Sequence, residues 1–373
     1  MDRTILEPIP FHNLAPVHEP LEAAAVDVFR HVYRKNDFIL GEDVRHFEEE
    51  FSHLVGASYG VGMSSGTAAL ELALRALGVG PGDEVITTPF SFFATAAAIV
   101  YVGARPIFVD IDPKTLNMNP LFLERALTSK TKAILPVHLF GHPANMTAIN
   151  DIALARKIPV VEDACQAHGA RWHGRPVGAL GQIGCFSFYP TKNLGGFGDG
   201  GMAVTNDGSL VERLRRLRNC GRREQYEHLE LGYNERLDNL QAALLRMKLP
   251  HLKMWTEDRQ RLAALYRREL AECSVSPLSV LSGADPVYHL FTVRTSRRDA
   301  LREYLGAQGI QTGIFYPTPL HLQPAFASLG GKTGDCPEAE RASTECLSLP
   351  LYPGLSEKNV QRVAAAVHAF AKG

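Results

Sequence analysis

Residues 184–201 read GCFSFYPTKNLGGFGDGG, an apolar, β-prone run followed by one lysine and a glycine-rich turn. Pro190 ends the run, Lys192 follows, and glycine then takes five of the seven positions from 195 to 201. Because glycine and proline are costly inside helices, this composition predicts a buried strand that delivers Lys192 into a cavity. Such a lysine is either a structural ion-pair partner or a nucleophile, and its position alone leaves both alternatives open.

The overall composition shows no electrostatic bias. The 373 residues are 45% apolar and carry 39 basic and 40 acidic side chains, for a formal net charge of -1. This length is enough for one large domain and a smaller one. The balanced charge does not favour a nucleic acid or any other polyanion as a partner. We interpret the arginine-rich segment 213–223 as a solvated helix face rather than a nucleic-acid site.

Cysteine spacing and hydropathy indicate the cellular compartment of the protein. The six cysteines are dispersed, with no CxxC pair, so we expect no zinc site and reduced thiols. The first residues lack a basic region followed by an apolar core, and no apolar stretch reaches membrane-spanning length. We therefore expect no signal peptide, no membrane partner and a cytoplasmic location.

Short apolar runs alternate with amphipathic segments over the first 250 residues. Strands are predicted at 59–63, 84–88, 106–110, 133–137, 159–163 and 203–205, and helices at 21–35, 44–55, 68–77, 120–127, 146–156 and 209–218. This alternation is typical of an α/β fold in which a mainly parallel sheet is covered by helices on both faces. Ligands of such sheets bind beyond the carboxyl ends of the strands, where Thr67, Phe92, Asp163 and Lys192 fall.

The remaining segments are less regular. A helical region from 237 to 270 is interrupted by Pro250, and we place the boundary between a large domain (1–250) and a small domain (251–373) there. Residues 288–294 and 311–316 are predicted as strands, and 298–307 and 356–370 as helices. The first 20 residues contain four prolines and are predicted to form an irregular arm of the large domain.

Two local patterns could bind charged groups. Small and hydroxyl residues begin the helix that follows position 63. The free main-chain amides at such a helix start either bind a phosphate group or belong to an ordinary N-cap. The candidate phosphate-binding residues are Gly66, Thr67 and Ala68. Asp163 ends an apolar strand, where a carboxylate is costly unless it is paired. Asp163 is either a structural residue, in a buried ion pair or as a helix cap, or the functional partner of a buried cation. Gln166 follows at short spacing and could line the same wall.

Two further patterns are better explained without a ligand. Residues 196–201 match GxGxxG, but a β-type run follows where a dinucleotide fingerprint needs a helix. His138 and His142 have metal-ligand spacing, but Gly141 and Pro143 argue against a helix that presents both rings. We expect hydrogen-bonded loop histidines there, and no metal site.

One cofactor fits the candidate residues together. Pyridoxal phosphate (PLP) needs a lysine for its Schiff base, an acid beside its pyridine nitrogen, donors for its phosphate and a flat side chain over its ring. Lys192 and Asp163 could supply the first two, Phe92 the last, and the helix start at Gly66 with Ser187 the phosphate site.

The sequence also resembles a known family, the DegT/DnrJ/EryC1/StrS aminotransferases of nucleotide-sugar biosynthesis. The resemblance covers nearly the whole chain and rests on the segments SSGTAAL (64–70), GPGDEV (80–85), EDACQAHG (162–169), 186–201, GYNERLD (232–238) and PLH (319–321). It implies the fold type I of PLP-dependent transferases, with a mainly parallel seven-stranded sheet in the large domain and a smaller α+β C-terminal domain.

The resemblance also implies a role for each site residue. Lys192 would form the Schiff base and Asp163 would hold the pyridine nitrogen protonated, so that the ring acts as an electron sink. Gln166 would contact the ring hydroxyl, and the other expected contacts are Phe92 on the ring, Gly66, Thr67, Ala68 and Ser187 on the phosphate, Asn234 on the phosphate of the other subunit, and Tyr189, Tyr316 and His321 on the substrate. Sites shared in this way imply a homodimer.

The implied reaction moves an amino group from L-glutamate to a nucleotide-linked keto-sugar, with pyridoxamine phosphate as the intermediate cofactor form. A dehydratase branch of the family has His at the lysine position, and Lys192 argues against it. Many 4-amino members have His where this chain has Tyr189, which favours a dTDP-3-keto-6-deoxyhexose and a 3-amino product. The alternatives are a 4-keto-sugar, a 3-keto-uronate, a keto-cyclitol, or a non-enzymatic regulatory role.

Overall fold

The computed structural model describes residues 7–372. Its α-helices, numbered in chain order, are α1 Ala15–His18, α2 Glu22–Lys35, α3 Glu42–Leu54, α4 Gly66–Ala76, α5 Phe93–Tyr101, α6 Pro120–Ala126, α7 Met146–Arg156, α8 Gly208–Arg218, α9 Asn239–Lys248, α10 Leu252–Glu269, α11 Arg298–Ala307, α12 Pro337–Glu345 and α13 Glu357–Lys372.

The strands are mostly short, and several form two-residue pairs at the edges. They are β1 Tyr59–Met63, β2 Glu84–Thr87, β3 Arg105–Phe108, β4 Thr131–Leu135, β5 Val161–Asp163, β6 Arg171–Trp172, β7 Arg175–Pro176, β8 Ile183–Ser187, β9 Gly201–Thr205, β10 Arg222–Glu224, β11 Glu227–His228, β12 Ser276–Pro277, β13 Ala284–Asp285, β14 Phe291–Arg294 and β15 Cys346–Leu349.

Seven strands form the central sheet, in the order β1-β9-β8-β5-β4-β2-β3. The β5 and β4 halves are joined by the parallel bridges Ile134–Val160 and Val137–Asp163. The pairs of β2 with β3 and β4, and of β5 with β8, are parallel, whereas β9 runs antiparallel to both neighbours. The prediction of a mainly parallel seven-stranded sheet is therefore confirmed.

Helices cover both faces of this sheet because successive side chains of a strand point to opposite sides. On β8, Cys185 packs with the core under α4, α5 and α8, whereas Phe186 packs with the core under α3, α7 and α9. Val85 and Ile86 on β2 divide in the same way. The strands are thus buried on both faces, and a ligand reaches the sheet only at a strand end.

The C-terminal segments form a second core. Strands β12, β14 and β15 make an antiparallel sheet, and apolar residues of α10, α11 and α13 pack together in one buried cluster with it. This arrangement matches the expected smaller α+β unit. The domain boundary at residue 250 stays a prediction, and Leu252 packs with the large-sheet core.

The arm contacts both parts of the fold: Ile9 is buried in the C-terminal core and bridges Ile310, whereas the His18 ring stacks on Phe197 of the glycine-rich turn. Its assignment to the large domain stays a prediction.

The structure corrects two details of the sequence interpretation. Residues 311–316 do not form a strand, because only Gly313 pairs there, in an isolated bridge with Ser348. Arg218 is not on a solvated face.

Arg218 is 7% exposed and lies in an ion pair with the buried Glu48. Its Nη1 also donates to the carbonyl of Gly62 at 2.7 Å, and the Glu48 carboxylate accepts from the Gly62 amide at 2.8 Å. Arg218, the last residue of α8, therefore links α8 and α3 to β1. Within residues 7–372, no helix combines the length and apolar character that crossing a bilayer requires.

Candidate active site

A cavity of about 510 Å³ lies beyond the carboxyl ends of β5 and β8. The polypeptide reaches it from the start of α4, the start of α5, the glycine-rich turn after β8, the arm and the C-terminal core. Its lining includes His12, Ser65, Gly66, Thr67, Phe92, Thr95, Asp163, Cys165, Gln166, Ser187, Tyr189, Lys192, Asp199, His289, Phe315 and Tyr316. Seven residues predicted from distant parts of the sequence to bind cofactor meet here.

Asp163 faces this cavity from the end of β5 and is 5% exposed. Its Oδ2 accepts a hydrogen bond from Thr95 Oγ1 at 2.8 Å, and its Oδ1 accepts from the Cys165 amide at 3.2 Å. Glu162 points to the other side, where His138 and three main-chain amides hold it. The two consecutive acids therefore differ: Glu162 is structural, whereas Asp163 has no basic partner among the residues described.

Lys192 lies in the turn after β8, and its amide donates to the Tyr189 carbonyl at 2.8 Å. Burial lowers the pKa of the Lys192 amine, against the opposing effects of Cys165 and Asp163. It forms no ion pair within residues 7–372, so the structural alternative left open by the sequence loses its support. A desolvated amine with a lowered pKa is a usable nucleophile and base.

The start of α4 and the end of β8 form a close-fitting cradle. A Cβ at Gly66 would lie 2.7 Å from Ser187 Cβ and 2.9 Å from Cys165 Sγ, so only glycine fits there. Ser65 caps the helix by accepting from the Ala68 amide at 3.1 Å. The amide of Ala68 is thus already engaged, and Ser65, Gly66, Thr67 and Ser187 of this cradle line the cavity.

Aromatic and amide side chains form another wall. Phe92 is 56% exposed and its ring centroid lies 6.5 Å from that of Tyr316. Gln166 donates from Nε2 to the Tyr316 hydroxyl at 3.2 Å, and its Oε1 accepts from the Phe140 amide. Burial raises the pKa of the Tyr316 hydroxyl, which therefore stays protonated. Tyr189 lies at the mouth and is 52% exposed.

Three of the predicted site residues do not line the cavity. The Ala68 side chain is buried in the core beneath α4. His321 is 3% exposed, and its Nε2 lies 3.0 Å from Glu340 Oε1. Asn234 is exposed, in a segment that bridges Asn219. The roles of these residues stay predictions.

Other cavity residues were not found from the sequence. Thr95 holds the Asp163 carboxylate, and Phe315 stacks on Phe11 of the arm. His12 comes from the arm and His289 from the C-terminal core, in segments without any recognisable motif. Thr95 is the polar residue of the otherwise apolar segment of α5, which could have suggested it, but nothing local marks the two histidines.

The rings of His138 and His142 are both hydrogen-bonded, as expected. His138 Nδ1 accepts from the Ala144 amide at 3.0 Å, and His142 Nε2 accepts from the Leu281 amide at 3.2 Å. In the part of the chain that is described, no cluster of three potential metal ligands occurs. Both rings therefore have a structural explanation.

These residues fit PLP. The buried Asp163 carboxylate lacks a cationic partner, which a protonated pyridine nitrogen would provide. Lys192 is the one lysine in the cavity lining, and the Gly66–Ser187 cradle leaves room for main chain but not for a Cβ. When bound, PLP would supply an aldehyde for Lys192 or an amine, and a ring that delocalises negative charge.

The DegT/DnrJ/EryC1/StrS aminotransferase family model matches residues 20–368. The chain belongs to this family. It is 49% identical over 366 residues to the pleiotropic regulatory protein of Geobacillus stearothermophilus, covering 97% of this chain and 98% of the relative. A Streptomyces venezuelae relative, dTDP-3-amino-3,4,6-trideoxy-alpha-D-glucose transaminase, is 46% identical over 98% of this chain and 96% of its own.

Two further similarities extend this finding. The UDP-N-acetyl-3-dehydro-alpha-D-glucosamine 3-aminotransferase of Acidithiobacillus ferrooxidans is 44% identical, covering 98% of both chains. A crystal structure of S. venezuelae DesV with a ketimine intermediate matches with a TM-score of 0.96 and 45% identity, over 98% of this chain and 99% of that one. The family depends on PLP, and this member is a PLP-dependent sugar aminotransferase of fold type I.

Proposed function

We propose that this enzyme moves the amino group of L-glutamate to a dTDP-linked 3-keto-6-deoxyhexose and releases the 3-amino sugar. The observation that carries the proposal is the meeting of Lys192 and Asp163 in one cavity, each without an ionic partner among the residues described. Lys192 would act as nucleophile and would move the proton between substrate and cofactor, because burial favours its neutral amine. Asp163 would hold the ring nitrogen protonated.

The choice of carbon rests on relatives and on one side chain. Two of the similar enzymes named above are 3-amino or 3-dehydro sugar enzymes, one with a dTDP and one with a UDP carrier. Tyr189 lies at the cavity mouth, where an incoming sugar would pass it. These points support amination at C3. Of the dTDP and UDP carriers, we propose dTDP.

The test compares acceptors with glutamate as donor. The purified enzyme is incubated with the dTDP-3-keto-6-deoxyhexose, its 4-keto isomer, a UDP-linked 3-keto-uronate and a keto-cyclitol, and both 2-oxoglutarate and the aminated product are measured. We expect the dTDP-3-keto substrate to give the highest kcat/KM. A preference for any of the other three acceptors would overturn the assignment while leaving the aminotransferase class intact.

We also propose a homodimer whose active sites are shared. Asn234 is exposed and lies outside the cavity of its own chain, which fits the expected contact with the other subunit's phosphate. Exposed apolar side chains on α2 and in the segment 226–231 after α8 offer surface for a second copy; they are Phe29, Tyr33, Tyr226 and Leu231.

Subunit complementation tests this sharing. Lys192→Ala and Asn234→Ala variants are each assayed alone and then after mixing under conditions that exchange subunits. A mixed dimer contains one site with both native residues, so mixing should restore activity. An active Asn234→Ala variant, or a mixture that stays inactive while subunit exchange is shown by mass, would contradict the proposal.

The name of the Geobacillus relative supports a second candidate, a regulatory role. A regulator without turnover would not convert its bound cofactor to the pyridoxamine form when glutamate is added. Spectroscopic titration of the holoenzyme with glutamate separates the two, and we expect full conversion.

A further inference from the structure

A buried guanidinium lies behind the cavity wall without an acidic partner. Arg259, on α10, is 5% exposed, and all its hydrogen bonds come from Nη1, which donates to the carbonyls of Leu351, Tyr288 and His289 at 2.9, 3.3 and 3.5 Å. Its Nε is buried and has no hydrogen-bond partner within residues 7–372. Burial lowers the pKa of Arg259 to about 10. A buried cation left without a counter-ion is strongly unfavourable, so this edge of the guanidinium is suited to an anion.

Two imidazoles lie between Arg259 and Lys192 as further hydrogen-bonding groups. His12 lines both the main cavity, with Lys192, and a narrow adjoining cavity that Arg259 lines as well. His289 lines the main cavity, its main-chain carbonyl accepts a hydrogen bond from Arg259, and its Nδ1 is buried without a partner in the described chain. We call Arg259, His12 and His289 the basic cluster.

Electrostatics support the same grouping. Burial first, then Arg259 and Lys192, lower the pKa of His12 to about 4. Burial, Lys192 and Arg259 likewise lower the pKa of His289. Two acids line the cavity: Asp163 accepts a hydrogen bond from Thr95 and is the expected partner of the cofactor ring, and Asp199 is exposed in the glycine-rich turn. The lowered pKa values leave both imidazoles neutral near pH 7, so Arg259 supplies the positive charge of the basic cluster. Arg259 forms no ion pair in the described chain, and the imidazoles contribute hydrogen-bonding groups beside it.

The arm holds His12 in this place. The Ile9 amide donates to the Gly309 carbonyl at 2.8 Å, and the Gln311 amide donates to the Ile9 carbonyl at 2.9 Å. The Phe11 ring also stacks on Phe315 of the cavity wall. The arm therefore contacts the C-terminal core, the part of the chain that also supplies Arg259 and His289.

We propose that the basic cluster binds a carboxylate of the donor amino acid and so selects an acidic donor. The free Nε edge of a guanidinium matches the planar carboxylate, and the imidazole N–H groups can complete its hydrogen bonds. The adjoining cavity is only about 20 Å³, which admits the end of a small anion and not a nucleoside diphosphate. This inference rests on the proposed use of L-glutamate.

Glutarate tests the subsite without reaction, because it has two carboxylates but no amino group. Its binding to the PLP-loaded enzyme is measured by calorimetry for the wild type and for Arg259→Met, His12→Phe and His12→Gln, with dTDP binding measured in parallel. We expect at least about tenfold weaker glutarate binding for Arg259→Met and His12→Phe, and partial recovery in His12→Gln, which keeps a donor. Binding of dTDP should stay within about twofold in each variant.

Arg267→Gln is the matched control. Arg267 lies on the same helix and also donates to a main-chain carbonyl, that of Leu278, but it lines neither of the two cavities. We expect this variant to bind glutarate normally. Should Arg259→Met fail to fold, His12→Phe on the arm decides the question.

The outcomes separate this inference from the proposed function. Normal glutarate binding in both His12→Phe and Arg259→Met, or an equal loss of glutarate and dTDP binding, overturns the carboxylate subsite even if the wild type still aminates the sugar from glutamate. A wild-type enzyme that takes its amino group from alanine or glutamine and ignores glutamate overturns the proposed donor and the subsite together. Selective loss of glutarate binding, with a raised KM for glutamate and an unchanged KM for the keto-sugar, supports both.

Discussion

Replacing Asp163 by asparagine should slow the reaction of the holoenzyme with glutamate by two to four orders of magnitude. The carboxylate is 5% exposed, accepts hydrogen bonds from Thr95 Oγ1 and the Cys165 amide, and has no cationic partner in the described chain. Bound PLP would complete an ion pair there. Losing one partner of a buried ion pair costs about 3–5 kcal/mol, which corresponds to a roughly 10²- to 10⁴-fold change in rate.

The assay is a rapid-mixing measurement of the cofactor spectrum after glutamate is added to PLP-saturated enzyme. It reports the donor half of the reaction and does not depend on the identity of the sugar. Circular dichroism of each variant confirms folding. The nearly isosteric substitution keeps the shape of the site, so a loss of rate reports the charge.

Thr95→Val provides the second arm of a double-mutant cycle. It removes the 2.8 Å hydrogen bond to Asp163, and a hydrogen bond to a charged group is worth about 1.5–3 kcal/mol. In the Asp163→Asn background the same substitution should have a smaller effect, because the hydroxyl then faces a neutral amide. The reasoning would be refuted if Asp163→Asn kept its rate within about threefold, or if the two effects were strictly additive.

Three further predictions concern covalent attachment and stability. Borohydride treatment of the PLP-loaded enzyme should label Lys192 alone, and Lys192→Ala should lose both the label and the visible band; a label on another peptide would contradict this role. Glu48→Gln should destabilise the protein by about 3–5 kcal/mol in urea unfolding, because Arg218 stays buried without its partner, whereas Glu49→Gln on the exposed side of α3 should cost less than about 1 kcal/mol. Burial lowers the pKa of Lys248 from 10.5 to about 8, so the unfolded chain binds more protons than the folded one between these values and stability should rise with pH there. Lys248→Met should abolish that rise, which is on the order of 3 kcal/mol, and equal pH profiles of the two proteins would disprove it.

Local sequence patterns predicted the parts of the site that depend on local geometry. The run before Pro190 predicted β8 and the position of Lys192, and the small residues around Gly66 predicted the start of α4. The final acid of an apolar run predicted Asp163 at the end of β5. These signals are readable because propensity, alternation and helix capping act over a few neighbouring residues.

Tertiary structure alone decided which distant side chains join the cavity. The pleat of β5 gives the physical reason why Glu162 meets structural amides whereas Asp163 meets Thr95, a partner that the sequence did not reveal. His12 comes from an arm that looked irregular, since its place depends on pairing between residues 9 and 309–311. Contacts between segments about 300 residues apart are made by packing and long-range main-chain pairing, which no local pattern encodes.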